Sequence, residues 1–201
     1  TTVVLAPGWA GQPTLLGEPG AQPPGLLTAG PGQPVSPAAL PAPLHVLSQP
    51  EAAALIAAAS GASRLLCSAG LLGLSIQEAL ALRPRDVDAT SMRLHVAGAW
   101  ARQVPLPPWL PDTLLADTES EQPVLRDAAG QALEAADVAS MIVSAALDAG
   151  LDRAATISWD VLRNTAIDWL VGQGLRYTEL PKRVGRVDAD MLQSMSSRHG
   201  E

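Results

Sequence analysis

Arg163 carries a guanidinium, a group that can bind an anion. It lies in DVLRNTAIDWLVGQGL, where Leu162, Ala166, Trp169 and Leu170 recur at helical spacing. That pattern predicts a helix over 160–171, closed by Gly172 and Gly174. A basic cluster follows at Arg176, Lys182, Arg183 and Arg186. Guanidinium and ammonium groups bind phosphate oxygens. These four residues, Arg163 and the upstream Arg102 are therefore candidate DNA contacts; the competing reading of the cluster is a solvated basic face. Asp160 stands three residues before Arg163. At that helical spacing it can pair with the guanidinium. Such a pair would occupy Arg163 and set a carboxylate beside any anion it held. Like charges a few ångströms apart repel by about 1 to 4 kcal/mol at water-like to surface-like dielectric. Asp160 can also cap the helix, worth about 1 kcal/mol. The cap is the favoured reading, and the two roles are compatible.

Nucleophiles and metal ligands are sparse. Tyr177 is the one tyrosine of the chain. Ser194, Ser196 and Ser197 have no histidine in a recognisable arrangement except His199, in a terminus expected to fray, and read as solvated serines. His45, His95 and His199 lack metal-ligand spacing, so no metal or other cofactor is indicated. The early glycines stand among prolines without a strand-turn-helix context, which gives no phosphate loop and no evident small-molecule ligand. Cys67, the single cysteine, excludes an internal disulfide framework and reads as a small core residue in RLLCSAGLL.

Several elements must position these groups. Ser48-Gln49-Pro50-Glu51 has capping-box spacing and opens a helix to about Ser60. A second helix is expected over 62–72. Ser75-Ile76-Gln77-Glu78 repeats the box and opens a third, ending before Pro84. Residues 92–97 alternate as a strand and 102–106 suit its hairpin partner, with Gly98 near the turn. A short helix is expected over 107–116 and a clear amphipathic one over 133–149, with short helices near 178–184 and 188–195. The fold class expected is mainly α with a small antiparallel β-sheet (α+β). Trp100 falls at the hairpin tip, where a large exposed aromatic is a candidate partner contact.

Composition narrows the function. The chain has 201 residues and a formal charge of −7, with no Phe. An acidic balance opposes non-specific binding to phosphate backbones. Residues 1–43 hold ten of the eighteen prolines, seven glycines and one charged residue, Glu18. They read as a Pro/Gly-rich extended arm or linker, and residues 44–201 as the folded domain. No secretory signal is evident. The apolar stretch 52–74 carries Arg64 and three glycines and reads as two soluble helices rather than a membrane span, so the expected location is the cytoplasm.

Five segments, in order, resemble the catalytic domain of the tyrosine recombinases, the phage integrase family. LGLSIQEALALRPRDVD is similar to its first box and RLHVAGAWARQVPLPPWL to the hairpin that follows. PVLRDAAGQALEAADVASMIVSAALDAGL is similar to the long helix before the second box. DVLRNTAIDWLVGQGL resembles the H-x-L-R-H-T helix, and LPKRVGR the L-G-H turn. The resemblance covers residues 46–197. It implies a nucleophilic tyrosine, two arginines, a hairpin lysine and two histidine-like positions around a scissile phosphate. At those positions stand Ser75 for the first arginine, Arg102 as the one cation near the hairpin lysine, and Asp160 for the first histidine. Arg163 keeps the second arginine, Arg186 stands for the second histidine, and Met195 lies near the tyrosine. Tyr177 precedes the turn instead of following it. The expectation is a degenerate domain without strand cleavage, no longer an enzyme, that acts as an assembly or regulatory module for a protein partner. The alternative is a DNA-binding accessory protein in DNA recombination or integration.

Overall fold

In a computed structural model, residues 44–110, 114, 121–127 and 129–199 are described. The chain divides into the units Thr1–Ala39 and Leu40–Glu201, and the described residues lie in the second. The arm expected over 1–43 lies outside them, as does most of the helix expected over 107–116.

The two capping boxes form as the sequence specifies. Ser48 caps α1 (Gln49–Ala58): its Oγ accepts from the Glu51 amide, and the Glu51 carboxylate accepts from the Ser48 amide at 2.8 Å. Ser75 and Glu78 make the same exchange at α3 (Ile76–Leu80). Between them runs α2 (Gly61–Leu71), where residues 65–70 are all buried. The stretch 52–74 is thus split at Ala59 and Ser60. Among the described residues no helix is long and apolar enough to cross a membrane. Burial pushes the Cys67 thiol up to about 12, as suits an inert core residue.

The sheet has three short antiparallel strands in the order β1 (Val87–Asp88), β2 (Arg93–Val96) and β3 (Arg102–Pro105). Sequence alternation predicted the second and third but not the two-residue first. Leu94 pairs with Val104, and both face the core with Val96. His95 and Gln103 face outward, as the period of two requires. Two long helices complete the frame, α4 (Ala135–Asp148) and α5 (Trp159–Gly172). Helix α5 crosses α2 where Gly70 removes a side chain: a Cβ there would stand 2.8 Å from the Leu162 Cβ. Polar ties join α5 to the segments before α1 and after α2. The Trp159 indole donates to the Leu74 carbonyl at 3.1 Å, and the buried Thr165 hydroxyl accepts from the Leu47 amide at 2.8 Å.

A smaller apolar cluster of Ile167, Leu180, Val184 and Met195 joins α5 to α6 (Leu180–Val184) and α7 (Ala189–His199). The last helix runs further than expected and His199 is not frayed. Its Nε2 lies 2.9 Å from Asp168 Oδ1, with Arg198 at 3.2 Å from the same oxygen. Asp168 is almost fully buried, so two partners from α7 meet its otherwise costly carboxylate.

Candidate functional site

Both arginines with the strongest claim on an anion are already bound by the protein. Arg163 sits one turn into α5, whose N-cap is Ser158: its Oγ accepts from the Val161 amide at 3.3 Å. Asp160 is therefore not the cap. It lies exposed in the first turn, where a negative charge suits the positive end of the helix. Nor does it form an ion pair with Arg163, because that guanidinium turns toward main-chain oxygens. Arg163 Nε donates to the Gly73 carbonyl at 3.3 Å, and Nη2 to the Val184 carbonyl at 3.0 Å and to the Arg186 carbonyl. Nη1 is left without a protein acceptor among the described residues. Burial pulls the Arg163 pKa below its ordinary value; Glu78 opposes the shift and Arg102 adds to it.

Arg102 opens β3 beneath the hairpin tip and reaches across to α3. Its Nη1 and Nη2 donate to Glu78 Oε1 and Oε2 at 2.6 and 2.9 Å. Its Nε donates to the Arg183 carbonyl at 3.0 Å, and Nη1 also to the Trp100 carbonyl at 3.1 Å. The Arg102 and Glu78 side chains are 4% and 17% exposed. This is a fork-to-fork pair held largely out of water. Burial alone would raise the Glu78 pKa. The hydrogen bonds from Arg102 and the Ser75 amide outweigh it and hold the carboxyl below its ordinary value.

These groups border a cleft of about 130 Å³ lined by Ser75, Glu78, Trp100, Arg163, Val184, Arg186 and Asp188. The structure thus brings together Ser75, Arg163 and Arg186, with Arg102 behind them. It keeps the rest apart. Met195 is fully buried in the smaller cluster. Tyr177 lines a separate open cavity of about 620 Å³ with Arg176 and His199. Arg176, Lys182, Arg183 and Arg186 are all exposed, and Arg186 lies 3.4 Å from Asp188. Trp100 is 46% exposed, as its place at the hairpin tip predicts. Trp109, 39% exposed, is covered on one face by Arg64 at 4.9 Å. Among the described residues no group of His, Cys, Asp or Glu is arranged to hold a metal ion.

Sequence reasoning missed Glu78 as a charge partner. The Ser75–Glu78 box was legible, but its second use depends on the hairpin bringing Arg102 to it. It also missed Gly73, whose carbonyl and open α-carbon allow Arg163 and Val184 to approach. If Arg163 is mainly a structural clasp, Arg163→Met should destabilise the fold by about 2 kcal/mol, because three carbonyls lose a charged donor. Urea unfolding monitored by tryptophan fluorescence measures this; an unchanged midpoint would assign Arg163 no such duty.

No protein-family model matches the sequence. No curated protein matches it either. Among solved structures, the chain is similar to XerA recombinase, with a TM-score of 0.61 and 18% identity over 84% of this chain and 67% of that one. It is also similar to the XerH site-specific recombinase bound to palindromic difH substrate in a post-cleavage complex (TM-score 0.61, 17% identity, 77% of this chain and 50% of that one). The XerH pre-cleavage complex with difH gives a TM-score of 0.61 at 16% identity, over 78% of this chain and 52% of that one. The chain thus spans about half the length of the XerH chains. The helical frame, the three-stranded sheet and the cleft between α3, β3 and α5 together carry the fold of the tyrosine recombinase catalytic domain.

Proposed function

We propose that this domain is a non-cleaving relative of the tyrosine recombinases, working in the cytoplasm as an assembly or regulatory module for a protein partner. One observation carries the reading: two cations at the cleft, Arg102 and Arg163, are engaged internally. Arg102 is spent on Glu78, and Arg163 on main-chain carbonyls. A phosphate entering the cleft would meet Glu78 and Asp188, and would have to draw on Arg186 and one nitrogen of Arg163. Stabilising a phosphorane needs several preorganised positive groups facing the reacting atoms. The separation of Tyr177 from the cleft and the burial of Met195 at the tyrosine-like position point the same way. Exposed Trp100 at the cleft rim is the proposed partner contact. The test is incubation with a nicked suicide DNA substrate. The expected outcome is no protein–DNA adduct stable to denaturing gels, and a covalent adduct would end the proposal.

A second reading, a DNA-binding accessory role in recombination, draws on the exposed Arg176, Lys182, Arg183 and Arg186. It predicts a duplex mobility shift weakened in Arg183→Ala and Arg186→Ala, with the salt slope falling by about one per lost contact. The charge of −7 weighs against it.

A further inference from the structure

We infer that a groove at the seam of the two apolar clusters is a docking site for a short segment of a protein partner, with an aliphatic side chain followed by a carboxylate. The groove is floored by Leu71 at the end of α2, the following Leu72 and Leu170 of α5, and edged by Trp169, Gln173 and Arg183. Leu71, Leu72 and Trp169 pack on the larger cluster, and Leu170 on the smaller. All four stay partly exposed. The groove has a volume of about 160 Å³. Small-molecule pockets begin at roughly 300 Å³. This one fits the anchor side chain of a peptide better than a whole ligand.

The rim sets the polarity of the occupant. The Trp169 indole N–H, the Gln173 side-chain amide and the Arg183 guanidinium have no internal partner among the described residues. Indole and guanidinium only donate hydrogen bonds, and among the described residues no carboxylate pairs with the positive charge of Arg183. Donors around an apolar floor call for a ligand that is apolar in the middle and accepting at its end. The base of Arg183 is held in place, because its carbonyl accepts from Arg102 Nε. That bond fixes the main chain from which the exposed guanidinium reaches the groove rim. Duplex DNA would also satisfy Arg183, but it offers nothing aliphatic for Leu71, Leu72 and Leu170.

This inference deepens the assembly reading by giving the partner a chemistry. The experiment uses the full ¹⁵N-labelled chain and two six-residue peptides. Each carries two adjacent leucines; two aspartates follow in one and two lysines in the other. The indole N–H resonance of Trp169, assigned with Trp169→Phe, reports on the groove itself. The aspartate peptide should move this resonance with an apparent Kd of about 1 mM or tighter. Arg183→Glu should weaken the effect about tenfold, and Arg183→Gln by less. The dispersion of the other amide signals verifies that each variant is folded. No movement with the aspartate peptide would overturn the inference. So would equal movement with the lysine peptide, indifference to Arg183→Glu, or displacement by duplex DNA. A covalent DNA adduct would sink the non-cleaving reading and leave this titration as it stands.

Discussion

Arg102→Ala should lower the stability of the domain by about 3 kcal/mol, a fall in Tm of roughly 6 to 12 °C for a domain of this size. The effect comes less from lost attraction than from what remains. Glu78 keeps its Ser75 cap but loses both guanidinium bonds while only 17% exposed. Two main-chain carbonyls, of Trp100 and Arg183, lose their donor as well. A buried charge stripped of its partner is far costlier than the intact pair is stabilising. The double variant Arg102→Met with Glu78→Gln, which leaves no orphan charge, should therefore be more stable than Arg102→Ala. Acid should reveal the same linkage. Glu78 titrates lower in the folded than in the unfolded chain, so the unfolded state takes up its proton first. The stabilisation is complete above the ordinary glutamate value of 4.5 and is lost as pH falls through the folded value. The gap between wild type and Arg102→Ala should narrow in that window. Urea melts at pH 7 and at successively lower pH measure it; a gap that stays constant would show that Glu78 is not the cause.

Gly73→Ala should be at least as damaging, about 3 to 4 kcal/mol. Gly73 ends α2 at φ +81, a left-handed conformation that costs roughly 1 to 2 kcal/mol for a residue with a Cβ. The added carbon would also lie 2.7 Å from Val184 Cγ1 and 3.3 Å from Val184 Cβ. Val184 cannot simply rotate away, because it is fully buried in the smaller cluster and its carbonyl takes a hydrogen bond from Arg163. Overpacking of this kind typically adds about 1 to 3 kcal/mol. Gly61→Ala is the matched control. It too has a positive φ, +49, but nothing lies within 4 Å of the added carbon, so backbone strain acts alone. Pairing Gly73→Ala with Val184→Ala should recover part of the loss. Equal melting temperatures for Gly61→Ala and Gly73→Ala would refute the steric account.

Much of this architecture was legible because it is local. The Ser48 and Ser75 boxes, the alternation of Leu94 and Val96 and the apolar stripe of α5 are set by residues within a turn or a strand of one another. The resemblance to tyrosine recombinases was likewise carried by ordered local segments, and the fold agrees with it. The misses were competitions between neighbours. Ser158 and Asp160 both suit a helix start. The serine takes the cap because Trp159 must point inward, where its indole meets the Leu74 carbonyl. His199 reads as a frayed end until α7 packs and brings it to Asp168.

By itself the sequence determined the helical class, the acidic balance and the types of residue at each cleft position. Tertiary structure alone decided whom those residues serve. Arg102 and Glu78 stand 24 positions apart, and Arg163 and Gly73 stand 90 apart. A guanidinium can bind a carboxylate, a carbonyl or a phosphate with similar geometry, so its residue type leaves the partner open. The partner is whichever acceptor the packed backbone brings within about 3 Å. In this cleft that acceptor is the protein itself for Arg102, and for most of Arg163.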